Sequence, residues 1–222
     1  MSDVQKGPLM TYEEIVEALR LADRLGDCVP ENVEGTARAI VAGQTPNYHV
    51  VVYDTDGTVL DPTVPPSVES QINVMRVLAL GPKGRGSTVV RHTVEAVTSG
   101  LRPEYVADAI SVLIAAHVRY APDPCSAEVI STPEQMILGA GPVDADEIAT
   151  LVAAAALSIG LKSRFKVVGF KAPGIYTHVF AQVECPQGNW VDVHPVDVKR
   201  WEEVRDSVTT SRVFSIDEEP SP

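Results

Sequence analysis

The segment from Ala145 to Ile159, ADEIATLVAAAALSI, constrains the fold more than any other part of the chain. After an acidic start at Asp146 and Glu147 it carries no further charge, and Gly160 comes next as a helix stop. Its length and its run of aliphatic side chains predict a helix buried on every side. The related stretch Ile148–Gly160 is interrupted by Thr150 and Ser158 and is shorter than the roughly 18 apolar residues a bilayer span needs. Such a helix must be enclosed by the rest of the chain.

The chain beyond this helix reads as strand. Ser163–Phe170 and Thr177–Glu184 are rich in β-branched and aromatic residues, and Gln187-Gly188 turns the second into Trp190–Val193. Pro195–Val204 has a helical pattern, Thr209–Ile216 reads as a last strand, and Asp217–Pro222 as a polar tail. The chain ahead of it reads mostly as helix: Ser67–Leu80, Ser87–Ser99 and Pro103–Arg119, with Pro103 at a first helical position. Ala121–Ile130 reads as a loop, Thr132-Pro133-Glu134-Gln135 opens a short helix, and Gly139-Ala140-Gly141-Pro142 is a turn. Further upstream, Thr11 and Glu14 form a capping box for a helix over Tyr12–Leu25, and a second helix runs from about Val33 to Val41. Tyr48–Tyr53 and Thr58–Leu60 flank an Asp-Gly turn and predict a hairpin. Asp61–Pro66 breaks the pattern and marks a boundary. Helices first and antiparallel strands last predict an α+β fold.

Composition narrows the function. The chain has 222 residues, 45% of them hydrophobic, enough for a sizeable core. Eighteen basic against 30 acidic residues give a formal charge of −12, which disfavours binding to nucleic acid or an anionic membrane. The three cysteines, Cys28, Cys125 and Cys185, form no CxxC pair and no zinc or disulfide framework, so no metal and no cofactor is expected and a reducing compartment is the simpler setting. Acidic residues through the first twenty positions argue against a secretory signal peptide.

Residues 119–196 also form an ordered series of motifs: Tyr120-Ala121-Pro122-Asp123-Pro124, Ser131-Thr132-Pro133-Glu134, Gly139-Ala140-Gly141, Asp146-Glu147-Ile148-Ala149-Thr150-Leu151, Tyr176-Thr177-His178-Val179 and Trp190-Val191-Asp192-Val193-His194-Pro195. The series resembles the transglutaminase-like family, in particular the small versions encoded by tailed phages and prophages, over about residues 72–196. That resemblance implies a papain-like fold and a Cys-His-Asp triad. In such a triad a thiol at a helix N-terminus is ionised by the macrodipole, an imidazole moves the proton, and a carboxylate orients the imidazole. Here Ala145 occupies the thiol position, His178 the imidazole position and His194 the carboxylate position, with Asp192 two residues from His194 and on the same strand face. Tyr176 and Trp190 correspond to aromatics that line the family's substrate groove. A methyl group cannot attack a carbonyl, so the resemblance implies a degenerate site. Either the loss is natural, or Ala145 replaces a native cysteine in an inactivated enzyme; His194 favours natural loss.

An alternative site lies upstream. Gly26-Asp27-Cys28, Tyr48-His49-Val50 and Leu60-Asp61-Pro62 repeat the order Cys-His-Asp, so Cys28, His49 and Asp61 are the candidate residues of an active cysteine hydrolase or acyltransferase. Gly81–Thr88 glances at a phosphate loop, but Ser87 stands where the loop lysine belongs, and a helix connector is the better reading. His178, His194 and Asp192 could ligate a metal in the vacated thiol space, but a relic hydrogen-bonded cluster is the better reading. The expected organisation is an N-terminal helix and hairpin segment over 1–66, a transglutaminase-like domain over 67–208, and a strand and tail over 209–222. The expected role is a non-catalytic virion or assembly component with protein partners, cytoplasmic in the host or particle-associated.

Overall fold

A computed structural model describes residues 49–53, 68–121, 127–139, 142–170, 176–194 and 198–216. Its elements in chain order are β1 (His49–Tyr53), α1 (Val68–Leu80), α2 (Thr88–Thr98), a 3₁₀ turn (Pro103–Tyr105) running into α3 (Val106–His117), β2 (Arg119–Tyr120), β3 (Ala127–Ser131), α4 (Pro133–Ile137), β4 (Pro142–Val143), α5 (Ala145–Ser158), β5 (Ser163–Phe170), β6 (His178–Glu184), β7 (Trp190–Val193), α6 (Val198–Val204) and β8 (Val208–Ser215). The fold is α+β, with a helical half and an antiparallel sheet half.

Helix α5 is the axis of the molecule. Asp144 caps it by accepting from the Asp146 amide at 3.2 Å, and Glu147 completes a reciprocal capping box. Every residue from Asp146 to Ser158 is buried. Gly160, at φ +84°, ends the helix in the left-handed region, and the Leu161 amide returns to the Ala156 carbonyl at 3.0 Å. Helices α1 to α4 and strands β5 and β6 pack around it. Enclosing an all-round apolar helix between helices and a sheet removes its aliphatic surface from water, worth about 25 cal/mol per Å².

The four-stranded sheet has the order β7-β6-β5-β8 and is antiparallel throughout. Its inner face supplies Phe165, Val167, Ala181, Val183, Val193 and Phe214 to the core that contains α5. Its outer face carries a second, smaller cluster of Val168, Phe170 and Phe180, against which Trp201 and Val204 of α6 pack. The end of β5 is therefore buried on both faces, which accounts for its unbroken apolar run.

Two departures from the sequence expectation concern the upstream half. The stretch expected as loop over Ala121–Ile130 contains β3, which pairs in parallel with β1, His49 opposite Ala127 and Tyr53 opposite Ser131. The first strand of the expected hairpin is thus β1; Thr58–Leu60, the expected second strand, lies outside the described residues, as do the two expected N-terminal helices. The expected helix over Pro103–Arg119 is a 3₁₀ turn leading into α3, and it stops at His117 because Arg119 and Tyr120 turn to pair with Pro142 and Val143.

The glycine-rich connector over Gly81–Ser87 is a structural joint. The Lys83 ammonium pairs with Glu134 at 2.8 Å, and the Ser87 hydroxyl donates to the same carboxylate at 2.6 Å while capping α2. These contacts hold the Glu134 carboxyl below its ordinary range. Gly84 lies so close to the end of α1 that a Cβ would sit 2.1 Å from the Leu78 carbonyl oxygen and 2.5 Å from that of Ala79. Gly84→Ala is expected to destabilise the chain by about 3 kcal/mol, the upper range for overpacking against rigid atoms. The midpoint of a urea unfolding curve checks this.

Candidate functional site

Three carboxylates crowd the first turn of α5. Asp144 is the N-cap, Asp146 is buried, and Glu147 is 1% exposed. The Glu147 carboxylate accepts from the Ser131 amide at 2.8 Å and from the Asp144 amide at 3.1 Å, tying the end of β3 to the helix start. Burial pushes the Glu147 carboxyl up to about 8, against the opposing pull of those hydrogen bonds. Ala145, the first residue of the helix, presents only a methyl group to this polar turn.

The short turn after α5 sends the chain directly into β5, and β6 runs antiparallel to β5. The first turn of α5 and the first residue of β6, His178, therefore lie toward the same end of the sheet. They stand on different faces. His178 is in register with Val168, so its side chain belongs to the outer face, whereas α5 packs on the inner one.

On the outer face the structure brings His178 and His194 together. Their ring centroids are 5.8 Å apart with planes 15° from parallel. His194 stacks on Trp201 at 4.4 Å and contacts Phe180 at 4.2 Å. The Nε2 atom of His194 is buried and has no hydrogen-bond partner among the described residues. Burial, and after it the neighbouring His178 and Lys166, takes the His194 imidazole down to about 3, so it is neutral around pH 7. His194 and Trp201 border a cleft of about 610 Å³ that also meets Lys166, Asp192, Arg205 and Asp108.

The other sequence candidates fall elsewhere. Asp192 accepts from the Gln182 amide nitrogen at 2.5 Å and faces the Lys166 ammonium at 3.7 Å, so its carboxylate serves a polar ladder across β6 and β5. Trp190 pairs with Glu184 at the far end of β6 and lies under the Arg164 guanidinium at 4.0 Å; it does not flank the histidines. Tyr176, just ahead of β6, packs against the main core. His49 begins β1 in the separate two-stranded sheet, while Cys28 and Asp61 lie outside the described residues. Cys185 is partly buried, and burial raises its thiol above the ordinary range.

Sequence reading missed Trp201, Phe180 and Lys166 as neighbours of the histidines. Phe180 was within reach of strand alternation, because residues two apart share a face. Trp201 left no such signal, since its place depends on how α6 returns across the sheet. No helix among the described residues is long and apolar enough to cross a membrane.

The two shifted groups have opposite effects on stability. The unfolded chain protonates His194 near its ordinary value of 6.5 while the folded chain does not, so this residue's contribution is lost as pH falls from about 6.5 toward 3, by up to about 1.4 kcal/mol per unit. Glu147 holds its proton in the folded chain up to about 8, so its contribution is present at low pH and lost as pH rises from its ordinary 4.5 through that value. His194→Phe, which keeps a ring against Trp201, is expected to flatten the acid-side loss. Glu147→Gln is expected to flatten the loss that accompanies the rise from about pH 4.5 to 8. Unfolding free energies measured in urea across this pH range check both slopes.

No family model matches the chain, and no curated protein matches it. Among solved structures the chain is similar to a crystal structure from Cytophaga hutchinsonii described as "a Putative Cysteine Protease", at 11% identity and a TM-score of 0.42. The match covers 68% of this chain and 58% of that one, so this chain spans less than two thirds of its length.

Proposed function

We propose that the chain is a non-catalytic member of the transglutaminase-like, papain-like group, working as a structural or assembly component of a phage or prophage particle. The observation that carries the non-catalytic part is the occupancy of the expected site. The nucleophile position is the methyl of Ala145, and the carboxylate position is His194, a neutral ring packed against Phe180 and Trp201. General-base catalysis needs a counter-charge for the imidazolium that forms. A neutral imidazole beside His178 supplies none, and Asp192 is engaged by Gln182 and Lys166. Asp144, the N-cap carboxylate of α5, would also oppose ionisation of any thiol placed beside it.

The particle role draws on the sequence resemblance and on a charge of −12, which suits protein partners with basic surfaces rather than nucleic acid or anionic lipid.

A first test measures chemistry. The chain is expected to show neither peptide hydrolysis nor glutamine-to-amine acyl transfer above a buffer blank. Ala145→Cys is expected to acylate with an activated ester no faster than an ordinary thiol of pKa about 8.5, with or without His178. Hydrolysis or acyl transfer by the unaltered chain that disappears in His178→Ala would overturn the reading. A second test concerns location: the chain should co-sediment with purified particles at a fixed copy number, and its absence from both particles and assembly intermediates would remove the particle role.

A further inference from the structure

We propose that α6 is an acid-released latch: a proton on His194 lifts Trp201 off the outer face of the sheet while the core around α5 stays folded.

The latch is separable because the molecule has two cores. The main one holds α5, the helices around it and the inner face of the sheet. Trp201 and Val204 of α6 join the smaller cluster of Val168, Phe170 and Phe180, and not the main one. Both are half-buried, and Glu202 and Glu203 between them are exposed. Among the described residues, no hydrogen bond or ion pair ties these four side chains to the sheet. Lifting α6 breaks the contacts of one small cluster and leaves α5 sealed. A segment held this way opens at a lower free energy than the whole chain unfolds.

His194 is the part of this seat that can take up a charge. Its ring stacks on Trp201 at 4.4 Å, with planes 17° apart, and meets Phe180 at 4.2 Å. Its buried Nε2 has no hydrogen-bond partner among the described residues, so an imidazolium there would carry an N–H without an acceptor. The ring faces of Trp201 and Phe180 attract a cation. The charged groups around the ring do not. His178 on β6 has its ring centroid 5.8 Å away, and Lys166 on β5 borders the same cleft. Asp192 on β7 is engaged by Gln182 and Lys166. Asp108 of α3, Glu202 of α6, and Arg205 and Asp206 after it border the cleft without pairing with His194. Among the described residues no three His, Cys, Asp or Glu side chains are grouped to hold a metal ion.

Lifting α6 returns the ring to water. Burial, and after it His178 and Lys166, holds the seated ring down to about 3, against an ordinary 6.5. The lifted form takes a proton that the seated form does not. The ratio of lifted to seated chains therefore rises by up to about tenfold for each pH unit below 6.5, until the seated ring titrates near 3.

The main core does not share this slope. Unfolding the whole chain frees Glu147 as well as His194. Between pH 6.5 and 4.5 the unfolded chain gains a proton at His194 and loses one at Glu147, whose carboxyl is raised to about 8 in the fold. The two effects cancel in global unfolding. Release of α6 leaves Glu147 buried, so only the His194 slope remains.

Hydrogen exchange resolved by peptide on the full chain, corrected for the intrinsic effect of pH, tests this between pH 6.5 and 4.5. Protection of α6 is expected to fall about tenfold per pH unit, while protection of α5 stays level. His194→Phe keeps a ring against Trp201 and leaves His178 in place, and it is expected to abolish the fall in α6. His194→Gln, neutral at every pH, carries the same expectation and serves if the first variant does not fold. Protection of α6 that is absent or level over this range, a fall shared equally by α5, or a fall that persists in the variants would overturn the proposal.

Discussion

Everything in this structure depends on sealing α5. A helix whose residues are buried from Asp146 to Ser158 cannot rest on one surface. It needs helices on some sides and a sheet on another, and the chain supplies both in sequence order. The sealing also creates a polar problem at the helix start, where unpaired amides meet a buried interior. Glu147 addresses it by accepting from Ser131 and Asp144 at once. One carboxylate therefore stitches the β3 end, the N-cap and the helix together, and its high pKa records the cost of keeping that group out of water.

The enclosure gives the sheet two unlike faces. The inner face is aliphatic and phenylalanine-rich and belongs to the core. The outer face carries aromatic and imidazole rings at one end and the Arg164–Gln182–Asp192–Lys166 polar ladder across the middle. Helix α6 closes the aromatic end by laying Trp201 on His194. Stacked, nearly parallel rings of this kind contribute about 0.5–1.5 kcal/mol beyond the area they bury. The outer face is thus a second, minor source of stability, and the expected site residues His178 and His194 take part in it.

The range of each interaction decides how much of it was legible in the sequence. α5, β5, β6, β7 and β8 announce themselves because their periods and stop signals are local: Gly160 after the helix, Gln187-Gly188 between β6 and β7. The β1–β3 pairing does not. Parallel partners some eighty positions apart carry no turn signal between them, and Pro122, Asp123 and Pro124 just upstream made the region look like loop. The same distinction holds at the site. The closeness of His178 and His194 was legible from adjacent antiparallel strands. The engagement of Asp192 with Gln182 and Lys166 was not, because alternation gives a face but not a partner. Trp190 was misplaced for a related reason: it belongs to the strand that leads into His194, but the register carries it to the other end of β6.

The identity of residue 194 and the packing of α6 are two aspects of one choice. A carboxylate in that place would sit among Phe180, Trp201 and His178, and a charge taken out of water there would need a close positive partner. Lys166 is a nearby cation, and it already faces Asp192 while lying 5.4 Å from the Phe180 ring centroid. A neutral imidazole avoids the desolvation cost and adds a stacking surface for Trp201. The tight seat of α6 on the sheet is therefore compatible with His194 and poorly compatible with an ionised side chain.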